Sequence, residues 1–310
     1  MDAAIRFPTT PGATKAVPLA LDKRMSAEQA FEAIARNCIA QIHANEAGVA
    51  RFHDIECLHQ MRVGIRRLRS AMSMYRTLIT VPIDIANDID WLVSQLGPAR
   101  DWDVLAGSTL AKVGAVVDPA QLVALNLAVQ DRTHALHQVA AAAVTSDRYG
   151  RLMGELSGWL ERQGWREHQG AKARAALSKS VCKFADAILH ADQQRLLKRG
   201  RRLRNAPPEA RHRVRIAAKK TRYAAEFFGS LYPGKQVRTY VKALSSLQDE
   251  LGWLNDAAVA QGLLEEMAQG EVALREPIGF ARGFLAASAQ DGDGRLRKAW
   301  KRFAPMSVPG

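Results

Sequence analysis

Apolar residues recur along this chain at intervals of three and four and nowhere alternate over more than a few positions, which predicts helices and no sheet. Phe31, Ile34, Cys38 and Ile42 form one face of a first helix. Ser26 opens it, and Gln29 three residues later completes a capping box. A second face, Met61, Ile65, Leu68 and Met72, runs through a helix expected to reach Ile79, ahead of Pro82. Ile85, Ile89, Leu92, Val93 and Leu96 mark a third, which Gly97-Pro98 is expected to end before a new helix starts near Asp101. Further helices are expected over 119–144, 171–197, 235–251, 255–270 and 275–303. Residues 1–25, rich in Pro, Thr and Ala and without helical period, read as a flexible tail or linker remnant. The fold class is all-α, in two similar bundles: repeat 1 over about 26–150 and repeat 2 over about 170–304.

The polar positions repeat as well. HQMRVGIRRLRSAMSMY (59–75) aligns without a gap on HRVRIAAKKTRYAAEFF (212–228), and LGPARDWDVL (96–105) on LGWLNDAAVA (251–260) after a two-residue shift. On a helix, His59, Arg62, Arg66 and Arg69 share one face, as do His212, Arg215, Lys219 and Arg222. Each stripe borders the buried face and rises roughly 15 Å, which suits an extended anion better than a single phosphate. A merely solvated basic face would interleave acids one turn apart, and none occurs between 59 and 76. Arg67 and Lys220 lie off the stripe; they and Arg238, Lys242, Lys198, Arg199 and Arg202 are possible additional anion contacts.

Charge strengthens this picture. The formal net charge is +13, and residues 195–222 contain Glu209 as their only acid. Aromatic residues make up only 6%, few for a module that stacks bases. Three scattered cysteines without metal spacing suit a reducing cytoplasm, Cys38 and Cys57 falling on core positions. No secretory signal is apparent, and the most apolar run, VAAAAV (139–144), is too short to span a bilayer, so no membrane partner is expected.

HQMRVGIRRLRS, LGPARDWDVL, HRVRIAAKKTRYAAEFF and SLQDELGWLNDAAVA together resemble the CHAD (conserved histidine α-helical domain) family over about residues 26–304. The resemblance implies two four-helix bundles related by a pseudo-twofold axis, basic residues lining a central groove or pore, and binding of inorganic polyphosphate. It matches His59, Arg62, Arg66 and Arg69 to the first family motif and His212, Arg215, Lys219 and Arg222 to the second. Some members carry a preceding CYTH triphosphatase domain, whose metal-holding ExExK motif is missing from this sequence. The chain therefore reads as a stand-alone member or as a piece lacking its catalytic neighbour.

The chemistry fits a binder. A run of cations at helical spacing suffices for polyphosphate, with Arg forks and Lys point charges on the phosphate oxygens. No cofactor is expected. Each motif supplies one His without a second ligand at metal spacing, so His59 and His212 are read as phosphate donors or as residues orienting the neighbouring arginines. Asp101, Asp103, Asn255 and Asp256 are read as helix caps after the glycine breaks or as partners holding an arginine, rather than as catalytic groups. Trp91, Trp102, Trp253 and Trp300 are read as packing residues. The expected function is non-enzymatic binding of polyphosphate at granules in a bacterial cytoplasm. The alternatives are a nucleic-acid binder using the same surface and a triphosphate or polyphosphate hydrolase.

Overall fold

The computed structural model describes residues 12–167, 169–203 and 206–310. Among the described residues there are helices and a single isolated bridge, Ser26 with Ser180, but no strand. The first half holds α1 (Ala27–His43), α2 (Glu46–Phe52), α3 (Ile55–Tyr75), α4 (Ile83–Val104), a π turn over Leu105–Thr109, α5 (Leu110–Gly114), α6 (Pro119–Val144) and α7 (Asp147–Glu161). The second holds α8 (Ala171–Leu177), α9 (Val181–Gly200), α10 (Pro208–Phe227), α11 (Gly234–Gly270) and α12 (Arg275–Phe303).

Local chemistry accounts for the helix starts. Ser26 accepts from Gln29 N while the Gln29 amide carbonyl accepts from Ser26 N, the capping box expected from sequence. Asp54 caps α3 by accepting from Cys57 N at 2.6 Å. Helix ends were less legible. The basic helix α3 stops at Tyr75, four residues short of Ile79. Gly97-Pro98 does not stop α4, which carries Pro98 in its interior. The buried face Ile85, Ile89, Leu92, Leu96, Ala99 and Trp102 continues through the break, and its burial outweighs the local cost of a proline. The two helices expected over 235–251 and 255–270 are likewise one, α11, whose buried face passes Gly252 from Leu251 to Ala257. Conversely, the helix expected over 171–197 is two, because Ser180 breaks it and caps α9.

The expectation of a flexible tail fails for residues 12–25. They lie extended along the body: Asn45 brackets Thr14, Asn37 donates to Val17 O at 2.8 Å, and Ser230 bonds both backbone groups of Leu21. Leu21 is buried, so this segment is part of the core. Residues 1–11 of the expected tail lie outside the described residues, as does Arg204 of the basic loop.

Within the first half α1 packs on α3, α3 on α4, and α4 on α6 and α7; within the second α9 packs on α10, α10 on α11 and α11 on α12. Between the halves α1 meets α9, α3 meets α10, α4 meets α11 and α6 meets α12. At the Ser26–Ser180 bridge the exchange is reciprocal: Ala27 N donates to Lys179 O at 2.8 Å and Val181 N to Met25 O at 3.0 Å.

The apolar core does not divide as the repeats do. A large cluster joins α1, α3 and α7 to α9, α10 and the first part of α11. A smaller one joins Trp102, Leu105, Leu122 and Val129 of the first half to Ala257, Leu264, Ile278 and Leu285 of the second. Each core draws on both halves.

Candidate anion-binding site

α3 and α10 contact each other while α4 packs on α3 and α11 on α10, and this brings Arg66 of one stripe within electrostatic reach of Arg215 and Lys219 of the other. Both helices bury the side next to the stripe, Met61, Ile65 and Leu68 on α3 and Val214, Ala217, Ala218 and Thr221 on α10. The cations are therefore carried at the rim of the core rather than in open solvent. Arg62, Arg66, Arg215, Lys219 and Arg222 are all half-buried.

Burial and neighbouring positive charge lower three of them, Arg62, Arg215 and Lys219. Lys219 is lowered to about 7, by burial first and then by Arg215, Arg66 and Arg222, with Asp256 opposing. Arg215 is also lowered, chiefly by burial, with Arg66 of the other half contributing. Burial, Arg66 and Arg100 bring Arg62 down to about 10 against the pull of Asp101 and Asp103. Arg66 thus lies in the fields of Arg62 on its own helix and of Arg215 and Lys219 on the facing one. Arg62, Arg66, Arg215 and Arg222 each have a buried Nε without a hydrogen-bond partner. Such atoms are costly to leave unsatisfied.

The stripe is not uniform. Its outer members have acidic company: Arg69 pairs with Asp90 at 2.9 Å, and Arg222 with Glu226 at 3.5 Å. Arg62 reaches only a long contact to Val93 O, 3.4 Å away. The two histidines also differ. Burial, with Arg100 and the stripe arginines, drives His59 down to about 4, so the imidazole of the ligand-free protein is neutral at physiological pH. His212 is exposed on the first turns of α10 and, with Arg215, lines a pocket between α10 and α11.

The acids of α4 and α11 do not cap new helices, since both helices run through the expected breaks. Asp256 lies 3.8 Å from Arg215, and Asn255 donates to Asp256 at 3.4 Å. Asp101 feels Arg62, Arg100 and Arg215, but burial and the facing Asp256 push its carboxyl up. Asp103 turns inward and binds His137 Nε2 at 2.8 Å, both side chains being buried. Among the described residues no group of three His, Cys, Asp or Glu side chains stands at metal-ligating spacing.

The additional candidates are dispersed. Arg67 is buried, donates to Gln41 and Asn37 and lies over the Phe227 ring, which makes it a core residue tying α3 to α1 and α10. Lys220 donates to Ser73 at 3.0 Å and sits among Asp192, Arg195, Arg76 and Arg199, a second cationic cluster on another face of α10. Arg199 donates to Arg213 O, while Lys198 and Arg202 are exposed at the end of α9. Arg238 and Lys242 are exposed near the start of α11. Arg100, Arg76 and Arg195 were not singled out from sequence. Arg100 stood beside Asp101 in a matched segment, but the expected break at Pro98 placed it in a turn. Trp102 is buried in the smaller core, Trp253 carries the Lys112 ammonium 3.5 Å from its ring, Arg148 covers Trp91, and Trp300 packs on Gly200.

Among the described residues no helix is long and apolar enough to cross a membrane. A search of curated proteins gave no match. Among solved structures, the chain is similar to the CHAD domain from the plant Ricinus communis, at 39% identity and a TM-score of 0.85, covering 96% of this chain and 98% of that one. It is also similar in fold to PptA from Streptomyces chartreusis, at 14% identity and a TM-score of 0.66, covering 89% of this chain and all of that one. The family model described as CHAD domain matches residues 33–265. The chain therefore belongs to the CHAD domain family, which is associated with polyphosphate.

Proposed function

We propose that the protein binds inorganic polyphosphate between the facing stripes of α3 and α10, without turning it over, and that this binding holds it at polyphosphate granules. The observation that carries this reading is the placement of Arg66 near Arg215 and Lys219, half-buried cations from both halves, where the Arg66 charge helps to lower the pKa of the other two. Three such groups are held together by the surrounding packing, and a polyanion relieves their repulsion while satisfying the unpartnered Nε atoms of Arg62, Arg66, Arg215 and Arg222. His59, Arg69 and His212 extend the contact at its ends. The matched meetings of α1 with α9, α3 with α10, α4 with α11 and α6 with α12, and the reciprocal bridge at Ser26 and Ser180, support a duplication with an axis between the stripes.

The test is competition. Fluorescently labelled long-chain polyphosphate is titrated with the protein and displaced by unlabelled polyphosphate or by duplex DNA at equal charge concentration. Polyphosphate should displace at least tenfold better. Equal displacement would make the groove a general polyanion surface and favour nucleic acid as the partner.

A further inference from the structure

The basic stripe of α10 runs into a pocket that a bare phosphate chain does not need. The cavity, about 590 Å³, lies between the start of α10 and one face of α11. That volume is within the range of small-molecule sites, about 300–1,000 Å³. Leu251, Leu254 and Ala258 supply an apolar floor, and Asn255 and Gln261 present amides from the same side of α11. His212 and Arg215, both stripe residues, line the cavity from α10 together with Glu209, Arg211 and Arg213. Arg215 is thus shared between this pocket and the cluster with Lys219 and Arg66.

The matching place in the first half is chemically different. A cavity of about 600 Å³ lies there between His53, Arg100, Asp103 and α6, lined by His134 and His137. Asn255 of the second half aligns with Arg100 and Ala258 with Asp103, so α4 lines its pocket with charged groups, whereas α11 lines the other with apolar side chains and two amides and leaves the charge there to α10. A homogeneous phosphate chain gains nothing from that asymmetry. An anion with one uncharged, flat, hydrogen-bonding end does.

We propose that the α10–α11 pocket takes the base of a nucleoside polyphosphate whose phosphates lie along Arg215, Lys219 and Arg66. Apolar side chains cover the faces of the base and the Asn255 and Gln261 amides meet its edge. An alkyl tail in the same place would cover the Gln261 amide without giving it a partner. Lys219 is one helical turn from Arg215, roughly 6 Å along α10, so the first cations beyond the pocket are within reach of a short phosphate chain. This assignment rests on the polyphosphate reading of the stripe and adds a ligand class to it.

Isothermal titration compares ATP with inorganic tripolyphosphate, in EDTA to remove metal ions, and long-chain polyphosphate is titrated in parallel. Tripolyphosphate carries the greater charge, so electrostatics alone ranks it above ATP. The expected result is ATP binding at least threefold tighter, with saturation transfer from protein to the adenine ring protons. Ala258 is exposed and lies outside the stripe, so Ala258→Trp fills the pocket without disturbing the core. It should weaken ATP at least tenfold and leave tripolyphosphate within twofold. Weaker binding of ATP than of tripolyphosphate, no ring-proton transfer, or equal loss of both ligands in the variant would each overturn the proposal. If long-chain polyphosphate binds and ATP does not, the pocket assignment alone fails; if long-chain polyphosphate does not bind, the stripe reading fails with it.

Discussion

Asp256 stands 3.8 Å from Arg215, an acid from α11 set beside the cation that joins the stripe to the pocket. At that distance, with Arg215 about one-fifth exposed and Asp256 about one-third, the pair is loose and partly solvated. Such pairs contribute roughly 0–1 kcal/mol. Its consequence for binding has the opposite sign. An anion entering the cleft must compete with Asp256 for Arg215 and is repelled by the carboxylate. Asp256→Asn should therefore tighten polyphosphate binding by about twofold to fivefold, equivalent to roughly 0.4–1 kcal/mol. Phosphate release from triphosphate or polyphosphate with magnesium or manganese should stay at background in both proteins. Metal-dependent turnover that the substitution abolishes would instead make Asp256 a catalytic ligand.

Binding should depend on pH through Lys219. Its folded-state value, lowered to about 7, leaves it partly neutral in the free protein at physiological pH, and the bound polyanion favours the ammonium. Below pH 7 the cation is already present; above it, each binding event must take up a proton. Affinity should therefore fall as pH rises from about 6 to 9, with proton uptake measurable as a buffer-dependent titration enthalpy. Stability of the free protein runs the other way. Between the depressed value near 7 and the ordinary lysine range, the unfolded chain binds more protons than the folded one, so Lys219 makes stability rise with pH across that window. Lys219→Arg keeps the charge at all these pH values and should flatten both profiles.

The fold class and the stripe were legible because both depend on periodicity. His59, Arg62, Arg66 and Arg69 stay on one face whatever the neighbouring helices do, and the Ser26 and Asp54 caps are local hydrogen bonds. What failed depended on burial. Gly97-Pro98 and Gly252 are breakers only while their helix is considered alone, and the packed faces of α4 and α11 carry the chain through them. The same error hid Arg100, whose place next to Arg62 exists only if α4 continues. Arg67 read as a possible further anion contact, but the Gln41 and Asn37 amides and the Phe227 ring that accept it come from other helices. Residues 12–25 have no period to read, and their order comes from Asn37, Asn45 and Ser230 on the body they cover.

Trp300 of α12 lies so close to Gly200, the last residue of α9, that a Cβ there would fall 1.9 Å from the indole ring. No rotamer change at position 200 can relieve this, because Cβ is fixed by the backbone. Gly200→Ala should therefore force the indole or the end of α9 to move, costing about 1–3 kcal/mol or somewhat more. The check is a denaturant midpoint, with Trp300→Leu restoring most of the loss in the double variant. Polyphosphate affinity of the folded Gly200→Ala protein should be unchanged within twofold, since α3 and α10 keep their contacts.

The decisive charge test uses Arg66 and Lys219 together, because they belong to different halves and share one field. Replacing both with Glu removes two phosphate contacts and introduces two repulsions. Binding of long-chain polyphosphate should weaken by about ten- to a hundredfold at moderate salt. By analogy with single-stranded nucleic acid, each lost contact lowers the salt slope by about 0.7, so the double variant should lose about 1.4 from its log–log slope. Helicity should be little changed, since both side chains lie at the rim of the core and not within it. Lys15→Glu changes an exposed cation in the N-terminal segment and serves as the control for net charge. Its affinity should stay within twofold of the wild type. A folded double variant that binds as tightly as wild type, with the same salt slope, would move the site away from the facing stripes. The cluster of Lys220, Arg195, Arg76 and Arg199 on the other face of α10 would then be the place to look, and Lys220→Glu in the same titrations would show it.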